Sequence, residues 1–95
     1  MAKQREIEFP FQEIDLKGGL FLRTFKEGVD SEEMIWHRDK EDRKVAILES
    51  NGWMIQMDDG VPVEMKPEGF FFIPKNTWHR VIKGKGDLKI IIEKL

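Results

Sequence analysis

Lys44-Val45-Ala46-Ile47-Leu48-Glu49-Ser50-Asn51-Gly52-Trp53-Met54-Ile55-Gln56-Met57-Asp58 reads as two β-strands and the turn that joins them. Val, Ile and Trp favour the pleated conformation, and Asn-Gly supplies the positive φ angles that a tight hairpin needs. The pattern repeats downstream. Asp59-Gly60 turns the chain into residues 61–65, where Pro62 cannot donate to a ladder and marks an edge strand. Residues 70–73 form an apolar strand, Pro74-Lys75-Asn76-Thr77 a turn, residues 78–83 a strand, Gly84-Lys85-Gly86 a turn and residues 88–93 the last strand.

Upstream, Gly18-Gly19 and Gly28 bracket a strand over residues 20–25. Residues 34–39 are read as a further short strand, whose period of two puts Ile35, His37 and Asp39 on one face and Met34 and Trp36 on the other. A capped helical turn at Ser31-Glu32-Glu33-Met34 is the minor alternative. Residues 1–17 are expected to form an arm or edge strand, with Phe9-Pro10-Phe11 tucked against the body, and residues 18–93 the barrel. Eight or so short antiparallel runs, with no internal repeat or low-complexity tract, predict an all-β jelly-roll barrel, an architecture that shields sheet edges.

At 95 residues there is room for one core, so a single domain over residues 1–95 is expected. Seven Phe and three Trp fill such an interior without cross-links, and the absence of Cys excludes disulfides, thiolate metal sites and cysteine nucleophiles. No apolar run approaches the roughly 20 residues of a membrane span. Met1-Ala2-Lys3-Gln4-Arg5-Glu6 is followed by no apolar stretch, so a cytoplasmic protein without a membrane partner is expected. Sixteen basic residues balance eighteen acidic ones without a block of one sign, which argues against a nucleic-acid partner.

The chain has two histidines. His37 and Asp39, two apart on a predicted strand, leave the same face and make a chelating pair, and His79 is placed to supply a third ligand from a later strand. Two imidazoles and a carboxylate on one side of an ion suit Fe(II) and also accept Mn, Ni, Co or Zn. Nothing fits a Ser-His-Asp relay or a glycine-rich phosphate loop, and no catalytic residue is assigned. Trp53, Trp78 and Phe70-Phe71-Phe72 are read as core or subunit-contact residues, and Met34, Met54, Met57 and Met65 as adaptable core filler.

The segments Trp36-His37-Arg38-Asp39-Lys40-Glu41-Asp42-Arg43, followed by Val45-Ala46-Ile47-Leu48-Glu49-Ser50, and Glu68-Gly69-Phe70-Phe71-Phe72-Ile73-Pro74-Lys75-Asn76-Thr77-Trp78-His79-Arg80 resemble the two signatures of the cupins, in the RmlC-like jelly-roll family. The resemblance covers residues 18–93 and implies a double-stranded β-helix, often dimeric, with His37 and His79 as ligands of a divalent metal. Asp39 stands where that pattern has a second His, and Arg43 where it has a Glu. A guanidinium cannot coordinate a cation. Arg43 either pairs with Asp39 and abolishes metal binding or grips an anionic ligand by a bidentate contact. Glu41 and Gln56 complete the ligand-binding candidates.

The resulting expectation is a small cupin holding one Fe, Mn, Ni or Zn ion through His37, Asp39 and His79. It would act as a dioxygenase or isomerase on a small organic molecule, with no organic cofactor. The alternative is a metal-free module that binds a small anion or serves in assembly. An apolar sheet face on so small a barrel predicts a homodimer, through sheet faces or exchanged N-terminal strands.

Overall fold

The computed structural model describes residues 11–28 and 32–95, so the expected tuck of Phe9-Pro10 and the helical cap at Ser31 lie outside the described residues. Eight strands follow in chain order: β1 (Phe11–Lys17), β2 (Leu20–Phe25), β3 (Arg43–Glu49), β4 (Met54–Met57), β5 (Val63–Glu64), β6 (Phe70–Ile73), β7 (His79–Ile82) and β8 (Leu88–Lys94). They pair antiparallel into a five-stranded sheet, β1-β2-β8-β3-β6, and a three-stranded sheet, β5-β4-β7. The strand expected over residues 34–39 is the main correction. Glu32–Met34 forms a single 3-10 turn instead, and only His37 pairs with a neighbouring strand. Two successive glutamates are poor strand formers, and the turn leaves Ile35 65% exposed rather than sharing the inner face with His37.

The two sheets face each other, and their inner rows make the core. Phe25, Val45, Ile47, Leu88, Ile90 and Ile92 line the larger sheet, and Ile55 and Val81 the smaller. Trp53 closes the junction between them. Fully buried, it donates its Nε1–H to the Gly86 carbonyl at 2.8 Å and packs 5.7 Å from the Phe25 ring. A Cβ at Gly84 would run into the Asn51 carbonyl and the Trp53 backbone nitrogen, which is why the turn after β7 needs glycine there.

The outer face of the larger sheet is apolar along one line. Ile14, Leu22, Ile91, Ala46 and Phe70 are direct cross-strand partners in sequence, one from each of the five strands. Phe70 is 72% exposed and Ile14 57% exposed, with Phe72, Leu48 and Leu16 also open to solvent around them. Among the described residues no helix is long and apolar enough to cross a membrane.

Candidate metal centre

Two segments far apart in sequence build the site. His79 opens β7, paired with Met57 of β4 on one side, and His37 lies against it on the other. The two residues exchange both backbone hydrogen bonds, His37 N–H to the His79 carbonyl at 3.0 Å and His79 N–H to the His37 carbonyl at 2.8 Å. Direct opposition across such a pair puts both imidazoles on one face, and their ring centroids lie 4.3 Å apart. The segment after His37 is pinned to the Pro74–Thr77 turn. Asn76 N–H donates to the Asp39 carbonyl at 2.7 Å and Lys75 N–H to Asp42 Oδ1 at 2.7 Å. Asp39 is thereby held beside the two rings.

Hydrogen bonds fix which nitrogen of each ring faces the centre. His37 Nδ1 is 2.7 Å from the Ile35 carbonyl and His79 Nδ1 is 2.8 Å from the Thr77 carbonyl, each oxygen belonging to the residue two earlier. A carbonyl only accepts, so both Nδ1 atoms carry hydrogen and both neutral rings present the Nε2 lone pair. His37, Asp39 and His79 each offer one ligand atom, and the three atoms lie within 4.8 Å of one another. Two of the polar atoms there, His37 Nε2 and Asp39 Oδ2, are buried without a hydrogen-bond partner. Asp39 Oδ2 comes within 3.3 Å of His79 Nε2, and Glu33 Oε1 within 3.2 Å of His37 Nε2. Lone pairs facing carboxylate oxygens at those distances repel unless a proton or a metal cation lies between them. Two Nε2 donors and one carboxylate oxygen, with His37 Nε2 and Asp39 Oδ2 buried and lacking a hydrogen-bond partner, fit a divalent ion.

Electrostatics around the cluster are mixed. Burial favours the neutral His79 ring and holds its pKa below the usual imidazole value, with the neighbouring His37 acting in the same direction. His37 moves the other way, because its contact with the Glu33 carboxylate outweighs partial burial and raises its pKa. Burial pushes Glu33 up, but His37 and the Arg23 and Arg43 guanidiniums prevail and leave its pKa lowered.

Arg43 enters the barrel at the start of β3 and finds two carboxylates. Its Nη2 lies 3.4 Å from Asp39 Oδ1 and 3.1 Å from Glu41 Oε1, and its Nε donates to the same Glu41 oxygen at 3.3 Å. The guanidinium thus takes one oxygen of Asp39 and leaves the other facing the imidazoles. Glu41 acts on Arg43 rather than on the centre. Gln56 is placed elsewhere: it pairs with Arg80, one residue away from the Met57–His79 pair, so it belongs to the opposite face of the smaller sheet. There its Oε1 accepts from Arg80 Nε at 2.9 Å and its Nε2 donates to the Gly60 carbonyl at 3.1 Å.

Sequence reasoning missed Glu33 and Arg23. Glu33 stands four residues before His37, the spacing of side chains one helical turn apart, and the 3-10 turn brings it to the rings. Arg23, 5% exposed, lies within 3.9 Å of Glu33 while Glu13 takes its Nε and Nη2 at 2.9 and 2.6 Å. A cavity of about 30 Å³, room enough for water, lies among Arg23, Glu33, Arg43, His79 and the aliphatic core.

No protein-family model matches the chain, and no curated protein matches it in sequence. Solved structures do. A cupin superfamily protein from Desulfitobacterium hafniense DCB-2 superposes with a TM-score of 0.66 at 22% identity, over 99% of this chain and 83% of that one. A cupin domain from Bordetella pertussis Tohama I gives 0.66 at 16% identity, over 95% and 99%. A chain of the DMSP lyases RdDddP and RnDddQII gives 0.67 at 12% identity over 79% of this chain, which spans only 36% of that one. Two facing antiparallel sheets, the strand order and these superpositions agree: the fold of this chain is the cupin jelly-roll barrel.

Proposed function

We propose that this chain is a one-domain cytoplasmic cupin that binds one divalent cation, Fe, Mn, Ni or Zn, through Nε2 of His37, Nε2 of His79 and Oδ2 of Asp39. The observation that carries the reading is the pair of buried, unpartnered atoms, His37 Nε2 and Asp39 Oδ2, beside a second imidazole of the same tautomer. A bound ion would supply Lewis acidity or a centre for oxygen activation, the chemistry of dioxygenase and isomerase reactions on small organic molecules. The chain's own groups prepare that site. The Ile35 and Thr77 carbonyls hold the Nδ1 protons and aim both rings. Arg43 engages Asp39 Oδ1 and leaves Oδ2 as a monodentate donor. Glu33 Oε1 stands beside His37 Nε2 and adds a second carboxylate to the edge of the site.

Metal analysis of the purified protein tests the reading directly. One equivalent of metal per chain is expected, falling below a tenth in His79→Ala. Wild-type protein that is metal-free and also rejects added Fe(II), Mn(II), Ni(II) and Zn(II) would point to the anion-binding alternative.

The same reading includes a homodimer built on the outer face of the five-stranded sheet. The Ile14-Leu22-Ile91-Ala46-Phe70 row, exposed at Ile14 and Phe70, would pack on the same row of a second copy about a twofold axis, with Lys44 and Glu93, cross-strand partners beside it, meeting their opposites. Light scattering at micromolar concentration should give twice the chain mass for wild type and the chain mass for Phe70→Lys, and a wild-type monomer would count against the dimer.

A further inference from the structure

The tripeptide Trp-His-Arg occurs twice, as Trp36-His37-Arg38 and Trp78-His79-Arg80. In the fold the two copies run antiparallel with the histidines directly opposite, so a local twofold axis passes through the His37–His79 pair. Residues on either side of a paired residue project to the other face. Trp36 therefore stands across from Arg80, and Trp78 across from Arg38. The guanidinium carbon of Arg80 is 5.0 Å from the Trp36 ring centroid, and that of Arg38 is 5.1 Å from the Trp78 centroid. One face of this short ladder carries the two imidazoles and the other carries two crossed cation–π pairs.

We infer that these two Trp–Arg pairs are positioning groups for the metal centre, clasping the His37 segment to β7 from the side away from the ion. The functional part of this inference rests on the metal reading above. Few backbone bonds hold the segment. His37 belongs to no strand, its attachment to β7 is one bridge with two hydrogen bonds, and the next backbone bond is that from Asn76 N–H to the Asp39 carbonyl at the preceding turn. A slip of one residue would turn His37 outward and bring Trp36 or Arg38 to the inner face, destroying the donor set. The crossed pairs oppose that slip, because each arginine meets an indole only in the observed register. Arg80 is itself braced, its Nε donating to Gln56 Oε1 at 2.9 Å while Gln56 Nε2 donates to the Gly60 carbonyl at 3.1 Å. That chain of contacts gives Gln56 a part in the site through Arg80 and Trp36.

Each exposed cation–π pair corresponds to a factor of about two to five in the equilibrium between registered and unregistered segments. Trp36→Ala/Trp78→Ala should lower the protection of the His37 and His79 amides against hydrogen exchange by about tenfold in the metal-free protein, leaving the β8 amides unchanged. Co(II) affinity should fall by a similar factor, and the visible spectrum of the Co(II) protein should change in band shape. Trp36→Phe/Trp78→Phe, which keeps a ring face for each arginine, should restore most of both. Double-alanine protein with both amides still protected and Co(II) binding within twofold of wild type would overturn the inference, as would phenylalanine variants no better than alanine ones. If wild type binds no Co(II), the metal reading fails, and the exchange measurement still decides whether the clasp holds the two strands in register.

Discussion

The two sheets differ in what they can carry. In the five-stranded sheet β1, β3 and β8 each run seven residues, and the inner face of β2, β3 and β8 is filled by aliphatic and aromatic side chains, broken by Arg23 opposite Ile90 and by Arg43 at the start of β3. In the three-stranded sheet no strand exceeds four residues, β5 has only two, and β7 begins with the candidate ligand His79. Long, continuously paired strands bury the apolar area that stabilises the domain, and short ones leave rim positions where polar groups gather and local opening is least costly. Scaffold and site are thus divided between sheets, with Arg23, Arg43 and Asp39 at the boundary.

The sharpest way to break that division is to hollow the larger sheet. Ile92, 3% exposed between Phe21 and Val45 in register, should cost about 2–5 kcal/mol on truncation to Ala, read as a lower urea midpoint, while the folded fraction keeps its full metal stoichiometry. Metal loss in proportion to nothing but this core change would show that the sheets are not separable.

Arg43→Gln probes the boundary. If the guanidinium orients Asp39 as a supporting group, metal affinity should drop by about tenfold or more, measured by competition with a chelator. A rise in affinity would show instead that Arg43 competes with the ion for Asp39.

The smallest effect concerns protons at the site. His37 has a raised folded pKa, so its contact with Glu33 stabilises the metal-free protein below the ordinary imidazole value and that contribution is lost as pH rises through the raised folded value. His79 is the reverse: its lowered pKa contributes above the ordinary value, and the contribution is lost as pH falls through the lowered one. Glu33→Gln should bring the His37 titration down in pH, read from its ring proton by NMR. Metal affinity, which falls as His37 protonates, should then persist to lower pH. An unchanged His37 titration would remove Glu33 from the account.

Much of this architecture was legible in the chain itself. Period-two apolar runs, the Asn51-Gly52 and Gly84-Lys85-Gly86 turns and Pro62 at an edge dictate an antiparallel barrel, because side-chain alternation and turn chemistry are local properties. The grouping of His37, Asp39 and His79 could be named from residue types, although the strand over residues 34–39 whose spacing paired His37 with Asp39 does not form. Tertiary structure decided the rest. Which oxygen of Asp39 faces the rings, where Arg43 spends its charge, that Gln56 braces the opposite face and that Glu33 arrives on a 3-10 turn all depend on contacts between segments distant along the chain. The sequence lists those donors and acceptors, but only the packed sheets set which pairs come within hydrogen-bonding distance, because long-range proximity follows from burial and register rather than from local preference.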